Sequence, residues 1–175
     1  SIAIEIMEDT GAASWANVVR HQVDLAFVIG GQEYPGCERV HFDNHSVVVA
    51  LPEEHQLARK AKLRWQDVWQ ETFMFTAGGM GPDLRDHVAT EFANLSLTLD
   101  FRIQRVGQCN LFGLVAQGFG LTVVPRGENG ASIPGLVFRP VDEGRKLPVR
   151  AIWSVNNANP ALSKLLEVVE EHGQK

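Results

Sequence analysis

No stretch of this sequence approaches the run of about 18 apolar residues that a membrane-spanning helix needs, so no span is expected. No run of lysine and arginine forms a phosphate-binding stripe. The formal charge is −5, from 21 acidic against 16 basic residues, which makes the chain by itself a poor nucleic-acid or membrane-surface binder. Cysteine is scarce: Cys37 and Cys109 lie far apart, outside any Cys-x-x-Cys spacing, and read as ordinary reduced thiols rather than a redox pair. There is no Gly-x-Ser-x-Gly elbow, no P-loop and no legible Cys–His pairing. The reading is therefore "not an enzyme", with no catalytic residue to name. No basic-then-apolar segment opens the chain, so nothing marks it for export and a cytoplasmic location is expected. No repeat or low-complexity segment appears.

What is present suits a packed core. Of the 175 residues, 45% are hydrophobic and 21% charged, enough for one or two compact lobes. The histidines are scattered. His41 and His45 stand four apart, the helical metal spacing, but their segment reads as extended, where they would be about 13 Å apart. No metal and no cofactor are expected. His55, after Glu53-Glu54, reads as a surface or capping histidine.

Periodicity and turn residues then place the elements. Ile2 to Ile6 reads as a strand. Thr10 can cap a helix with Trp15, Val18 and Val19 on its apolar face. Val23 to Ile29 reads as a strand that completes a βαβ unit. Val40 to Phe42 and Ser46 to Leu51 read as extended. Leu63 to Trp69 reads as one helical turn with both tryptophans inward, and Phe73 to Phe75 as a short buried strand. Pro82 suits the first residue of a helix that carries Leu84, Val88 and Phe92. A strand from Leu97 to Arg105 leads to a helix near Gly107–Asn110 with Leu111, Leu114 and Val115 on one face. That helix stops at Gly118, where a left-handed residue is needed. It feeds Leu121 to Val124, read as a central parallel strand covered on both faces and ended by Pro125. Gly127 to Gly130 reads as a turn. Leu136 to Phe138 and Val149 to Val155 read as strands. Asn159-Pro160 opens a last helix with Leu162, Leu165, Leu166 and Val169 inward and Gly173 at its end. Strands and helices alternate, so the class is α/β.

The chemistry-bearing signal is geometric. Three helices begin directly after strands: near Thr10, at Gly81-Pro82, and near Gln108. Helix N-termini carry unpaired N–H groups and partial positive charge, and in α/β sheets they gather at the carboxyl edge of the strands. Glycines 78, 79 and 81 would let backbone N–H groups approach a ligand, whereas Gly118 and Gly120 read as plain turn residues. Such ends favour a small molecule with a lone carboxylate. Asp83, in the first helical turn, argues against a densely charged one.

Three patterns resemble the effector-binding domain of LysR-type transcriptional regulators. They are Gln22-Val23-Asp24-Leu25-Ala26-Phe27, Val47 through Pro52 to Ala58, and Leu114 through Gly118 and Gly120 to Pro125. Departures are His21 for a usual glycine, Gln56 for a usual proline and Gln117 for a usual small residue. The resemblance implies two Rossmann-like lobes joined by two crossover strands, as in type 2 periplasmic binding proteins. Lobe I would hold residues 1–47 plus 149–175, and lobe II residues 48–148. It implies an effector in the inter-lobe cleft, met by Thr10, Gly11, Ile29, Gly30, Thr76, Gly78, Gly79, Gly81, Pro82, Asp83, Gln108 and Asn110. Ile29-Gly30 lacks the arginine or threonine that some relatives carry there. It also implies self-association as a homodimer, a tetramer when full length. Promoter DNA would be bound only through a winged helix-turn-helix domain outside this chain, which is expected to be a fragment lacking the family's first strand and helix. A transport solute-binding protein of the same fold is the alternative.

Overall fold

The computed structural model describes residues 3–126, 132–142 and 144–173. The expected turn at Gly127 to Gly130 lies outside the described residues, as does Ile2. The chain divides into two compact units, Ser1–Asn44 with Pro148–Lys175 and His45–Leu147. It is α/β.

The first unit is built on a three-stranded sheet. β1 (Ala26–Ile29) pairs antiparallel with β8 (Leu147–Ser154), which also pairs with β2 (Cys37–His45). α1 (Gly11–Val19) packs on β1, closing a core of Val18, Ala26, Val28, Tyr34 and Ile152 with Trp15 and Val23 against it. Thr10 caps α1 as expected: its Oγ1 accepts the Ala13 N–H at 3.2 Å. α4 (Pro160–Gly173) starts behind Asn159, whose side-chain oxygen accepts the Ala161 N–H at 3.0 Å. Leu162 and Val169 of that helix are buried; Leu165 and Leu166 are half-buried.

Several expectations fail here. Residues 3–6 form no strand, and Ile4 and Ile6 are exposed, Ile6 to 88%. A strand is stable only when a neighbour completes its ladder, and residues 3–10 pair with none among the described residues. The first βαβ unit therefore does not form. β1 begins at Ala26 rather than Val23, with Phe27 half-exposed, and Val19 faces solvent on the outer side of α1.

The second unit carries the parallel elements. β3 (Val47–Pro52) lies between β6 (Thr122–Pro125) and β7 (Leu136–Pro140), antiparallel to both. β4 (Phe73–Thr76) pairs parallel with β5 (Phe101–Gln104), from Phe73 opposite Phe101 to Thr76 opposite Gln104. Leu121 bridges in parallel to Phe73, its N–H donating to Thr72 O at 2.9 Å and its carbonyl accepting from Met74 N–H at 2.7 Å. β4 is thus flanked by β5 and by the start of β6. α2 (Gly81–Asn94) joins β4 to β5, and α3 (Gln108–Ala116) joins β5 to β6.

β6 is fully buried, as read, but its ladder is antiparallel to β3; only the Leu121 bridge is parallel. The glycine stop is there: Gly118 has φ +81° and donates to Val115 O at 2.8 Å. Gly120 is fixed by contact, since a Cβ there would lie 2.6 Å from Thr72 O. Leu84, Val88 and Phe92 line the buried face of α2, and Phe92 meets Trp65 and Phe73 edge-on, with centroids 5.8 and 5.9 Å away. Trp65 opens a 3-10 turn, Trp65–Asp67; Trp69 lies beyond it, 45% exposed, because a turn that short cannot present two residues four apart to one core. His55 is a cap: its Nδ1 accepts the Leu57 N–H at 3.2 Å, while Nε2 stands 3.3 Å from Glu71 Oε1.

Candidate functional site

The two parallel crossovers bring most of the expected site residues to one sheet edge. β4 and β5 run the same way side by side, so the segments that leave their carboxyl ends emerge together. Those segments are held to each other: Ala77 N–H donates to Gln104 O at 2.8 Å. Thr76 through Asp83 leave β4 and enter α2; residues 105–107 leave β5 and enter α3. The first unit carries the remaining residues, Thr10 and Gly11 at the start of α1, Ile29 at the end of β1, and Gly30 after it with φ +99°.

The loop after β4 is shaped by close approach. Gly79 has φ +55°, a left-handed conformation that favours glycine. Gly81 is buried, and a Cβ there would overlap the carbonyl and hydroxyl oxygens of Thr76. Thr76 itself is buried, and its Oγ1 donates to Gly78 O at 2.8 Å, so it braces the loop instead of presenting its hydroxyl. Gly78 has open space where a Cβ would stand.

The two helix starts are unequal. Neither has a side-chain cap: the residue before α2 is Met80 and the one before α3 is Gly107. In α2, Gly81 N–H already donates to Gly78 O at 3.2 Å, and Pro82, the second helical residue rather than the first, has no N–H to offer. Asp83 adds an acidic group to that first turn. α3 offers more. Its opening residues Gln108, Cys109 and Asn110 are the ones whose N–H groups lack partners inside a helix. Gly107 is extended before them, with open space in place of a side chain. The Gln108 Nε2 is buried and has no hydrogen-bond partner. A buried amide donor without an acceptor is costly, by about 1–3 kcal/mol, and marks a place where an acceptor belongs. Gly107 is not among the sequence-derived site residues; the readable signal is a glycine directly ahead of a helix start. No cluster of metal-ligating side chains occurs among the described residues.

A family model for the LysR substrate binding domain matches residues 1–174. The chain belongs to this family. It is the effector-binding domain type of LysR-type transcriptional regulators, with the type 2 periplasmic-binding-protein-like fold. Among curated proteins, the LysR domain is similar to the HTH-type transcriptional regulator TtuA of Agrobacterium vitis, 26% identical over 97% of the chain, and spans 58% of that regulator's length. Among solved structures it resembles the BenM effector binding domain with its effector benzoate, with a TM-score of 0.80 and 21% identity. That match covers 96% of this chain and 77% of the other. It also resembles the QuiR effector binding domain in complex with shikimate, with a TM-score of 0.79 and 17% identity over 94% and 78% of the two chains. For this LysR domain, those likenesses establish the fold.

Proposed function

We propose that this chain senses a small carboxylate-bearing metabolite and passes its presence to the DNA-binding part of a longer transcription regulator. The observation that carries the ligand class is the start of α3, where uncapped N–H groups, an open Gly107 and the buried, unpartnered Gln108 amide converge. The Gly78–Gly79 loop adds backbone donors from the neighbouring strand end. The field of a helix N-terminus stabilises a nearby anion by about 0.3–1 kcal/mol, and by up to about 2 when partly buried. Asp83 in the first turn of α2 disfavours a phosphate or dicarboxylate and suits a single carboxylate on an apolar body. Benzoate bound by BenM and shikimate bound by QuiR are both single carboxylates, which supports the reading. The full-length protein would bind its promoter through a separate helix-turn-helix domain and assemble as a dimer or tetramer. The chain's net charge of −5 fits that division of labour.

The test is thermal unfolding of the 175-residue chain against benzoate, shikimate and their uncharged amides. A ligand at about 100 times its Kd adds about 2.7 kcal/mol. At this chain length that raises the midpoint by about 5–10 °C. Stabilisation by the acids, absent with the amides and lost in Gln108→Leu, is the expected result. Stabilisation confined to cations or neutral sugars would overturn the anion reading.

A further inference from the structure

Away from the β4–β5 edge, buried polar atoms without partners gather around the segment that leads into β8. Glu91 sits on the core side of α2, 6% exposed, between Val88 and Phe92. Its Oε2 accepts the Arg145 N–H at a long 3.4 Å, and its Oε1 has no hydrogen bond, standing 3.7 Å from the Arg145 Nε. The Trp65 indole Nε1 is buried without an acceptor, 3.6 Å from where a Cβ on Gly144 would be. Trp65 also lies edge-on to Phe92, the residue after Glu91. His87, one turn earlier on the face of α2 that carries Glu91, has a buried Nε2 with no partner and feels the charges of both Glu91 and Arg145. Two of the three orphaned polar atoms, Glu91 Oε1 and Trp65 Nε1, thus border one strap, Gly144-Arg145, and the third, on His87, feels the charge of Arg145. One is a donor, one an acceptor, and the imidazole nitrogen serves as either. Buried groups of this kind are ordinarily satisfied by an internal water, which makes about three hydrogen bonds.

We propose that this is a built hydration site: a long-lived internal water accepts from Trp65 Nε1–H and donates to Glu91 Oε1, with His87 Nε2 as its third neighbour. The bridge ties α2 and the 3-10 turn at Trp65 to the strap. Two residues beyond Arg145, at Leu147, the chain enters β8 and leaves the second unit for the first. The inference concerns a different place from the anion site and does not depend on it.

The water is read directly by cross-relaxation between indole N–H protons and solvent in the 15N-labelled 175-residue chain. The chain has four tryptophans, so the Trp65 signal is assigned by its loss in Trp65→Phe. The expected result is a cross-peak to water with the sign of a long-lived complex, retained in Glu91→Gln, whose amide oxygen still accepts. In Glu91→Met the cross-peak should vanish, and the Arg145 amide should exchange roughly tenfold faster or more, as suits a part-buried donor losing its acceptor. A wild-type Trp65 indole with no water contact would overturn the proposal without reference to any variant. So would a cross-peak that survives Glu91→Met.

Discussion

Replacing Gly81 by alanine isolates the close approach on which the loop after β4 depends. A methyl group at Gly81 would overlap both the carbonyl and the hydroxyl oxygen of Thr76. The carbonyl belongs to the strand end and cannot swing aside as a flexible side chain would. The helix start must therefore move away from β4, with the cost of overpacking, typically about 1–3 kcal/mol. Alanine's better helix propensity returns at most about 1 kcal/mol, and less in the first turn than in the interior. The net expectation is a loss of about 1–2 kcal/mol, which at this chain length lowers the unfolding midpoint by about 2–8 °C. Gly78→Ala is the matched control. Gly78 has nothing within 4 Å of the place a Cβ would occupy and no positive φ, so the change should stay within about 0.5 kcal/mol. Urea denaturation of both variants and the parent chain measures the difference. A Gly81→Ala chain as stable as its parent, or a Gly78→Ala chain equally weakened, would refute the steric argument.

Phe92→Ala removes a fully buried ring from its edge contacts with Trp65 and Phe73, and should cost about 3–5 kcal/mol in the same urea assay. Thr10→Ala deletes the α1 cap and should cost about 0.5–2 kcal/mol, with the loss confined by hydrogen exchange to the first turn of α1. Lys60 donates to Asp67 at 2.7 Å and, with the Arg64 backbone N–H, holds that carboxyl below its ordinary value of 3.8. A depressed carboxyl adds stability above its unfolded value and loses it as pH falls through the folded one. Asp67→Asn should accordingly flatten the acid limb of a stability–pH curve below about pH 4. His87 acts in a neighbouring window: burial lowers its affinity for a proton below the ordinary value of 6.5, so the folded chain should weaken as pH drops from there. His87→Gln should remove that part of the slope.

Local chemistry is legible in this sequence and long-range pairing is not. Thr10, Asn159 and Gly118 act within a few residues of themselves, and each does what its type suggests at a helix end. Leu84, Val88 and Phe92 mark one face by spacing alone. A strand carries no such local warrant. Ile2 to Ile6 alternates like a strand but finds no partner over the described residues, and the orientation of β6 is set by β3, far upstream in the chain. Trp69 reads as inward because it shares a short motif with Trp65, yet a single 3-10 turn shows only one of them to the core. At the candidate site, the glycines and helix starts are readable because they punctuate the chain. The bracing role of Thr76 is not, since it depends on where the Gly78 carbonyl points. Glu91 does leave a trace, as an acid at helical spacing between apolar residues, where a solvent-facing group would be out of place.

The crossover geometry around β4 bears on how such a domain can change its preferences. On the proposed reading, most of the groups gathered at the shared strand end are main chain and come with the topology, and the Gln108 amide is the one side chain that completes them. Exchanging Ala77, Met80 or Cys109 for bulkier or more polar residues would then alter which molecular body is tolerated while leaving the proposed hold on its carboxylate in place. On that reading, new ligand specificities would be reachable by single substitutions at those three positions, without passing through a variant that has lost recognition altogether.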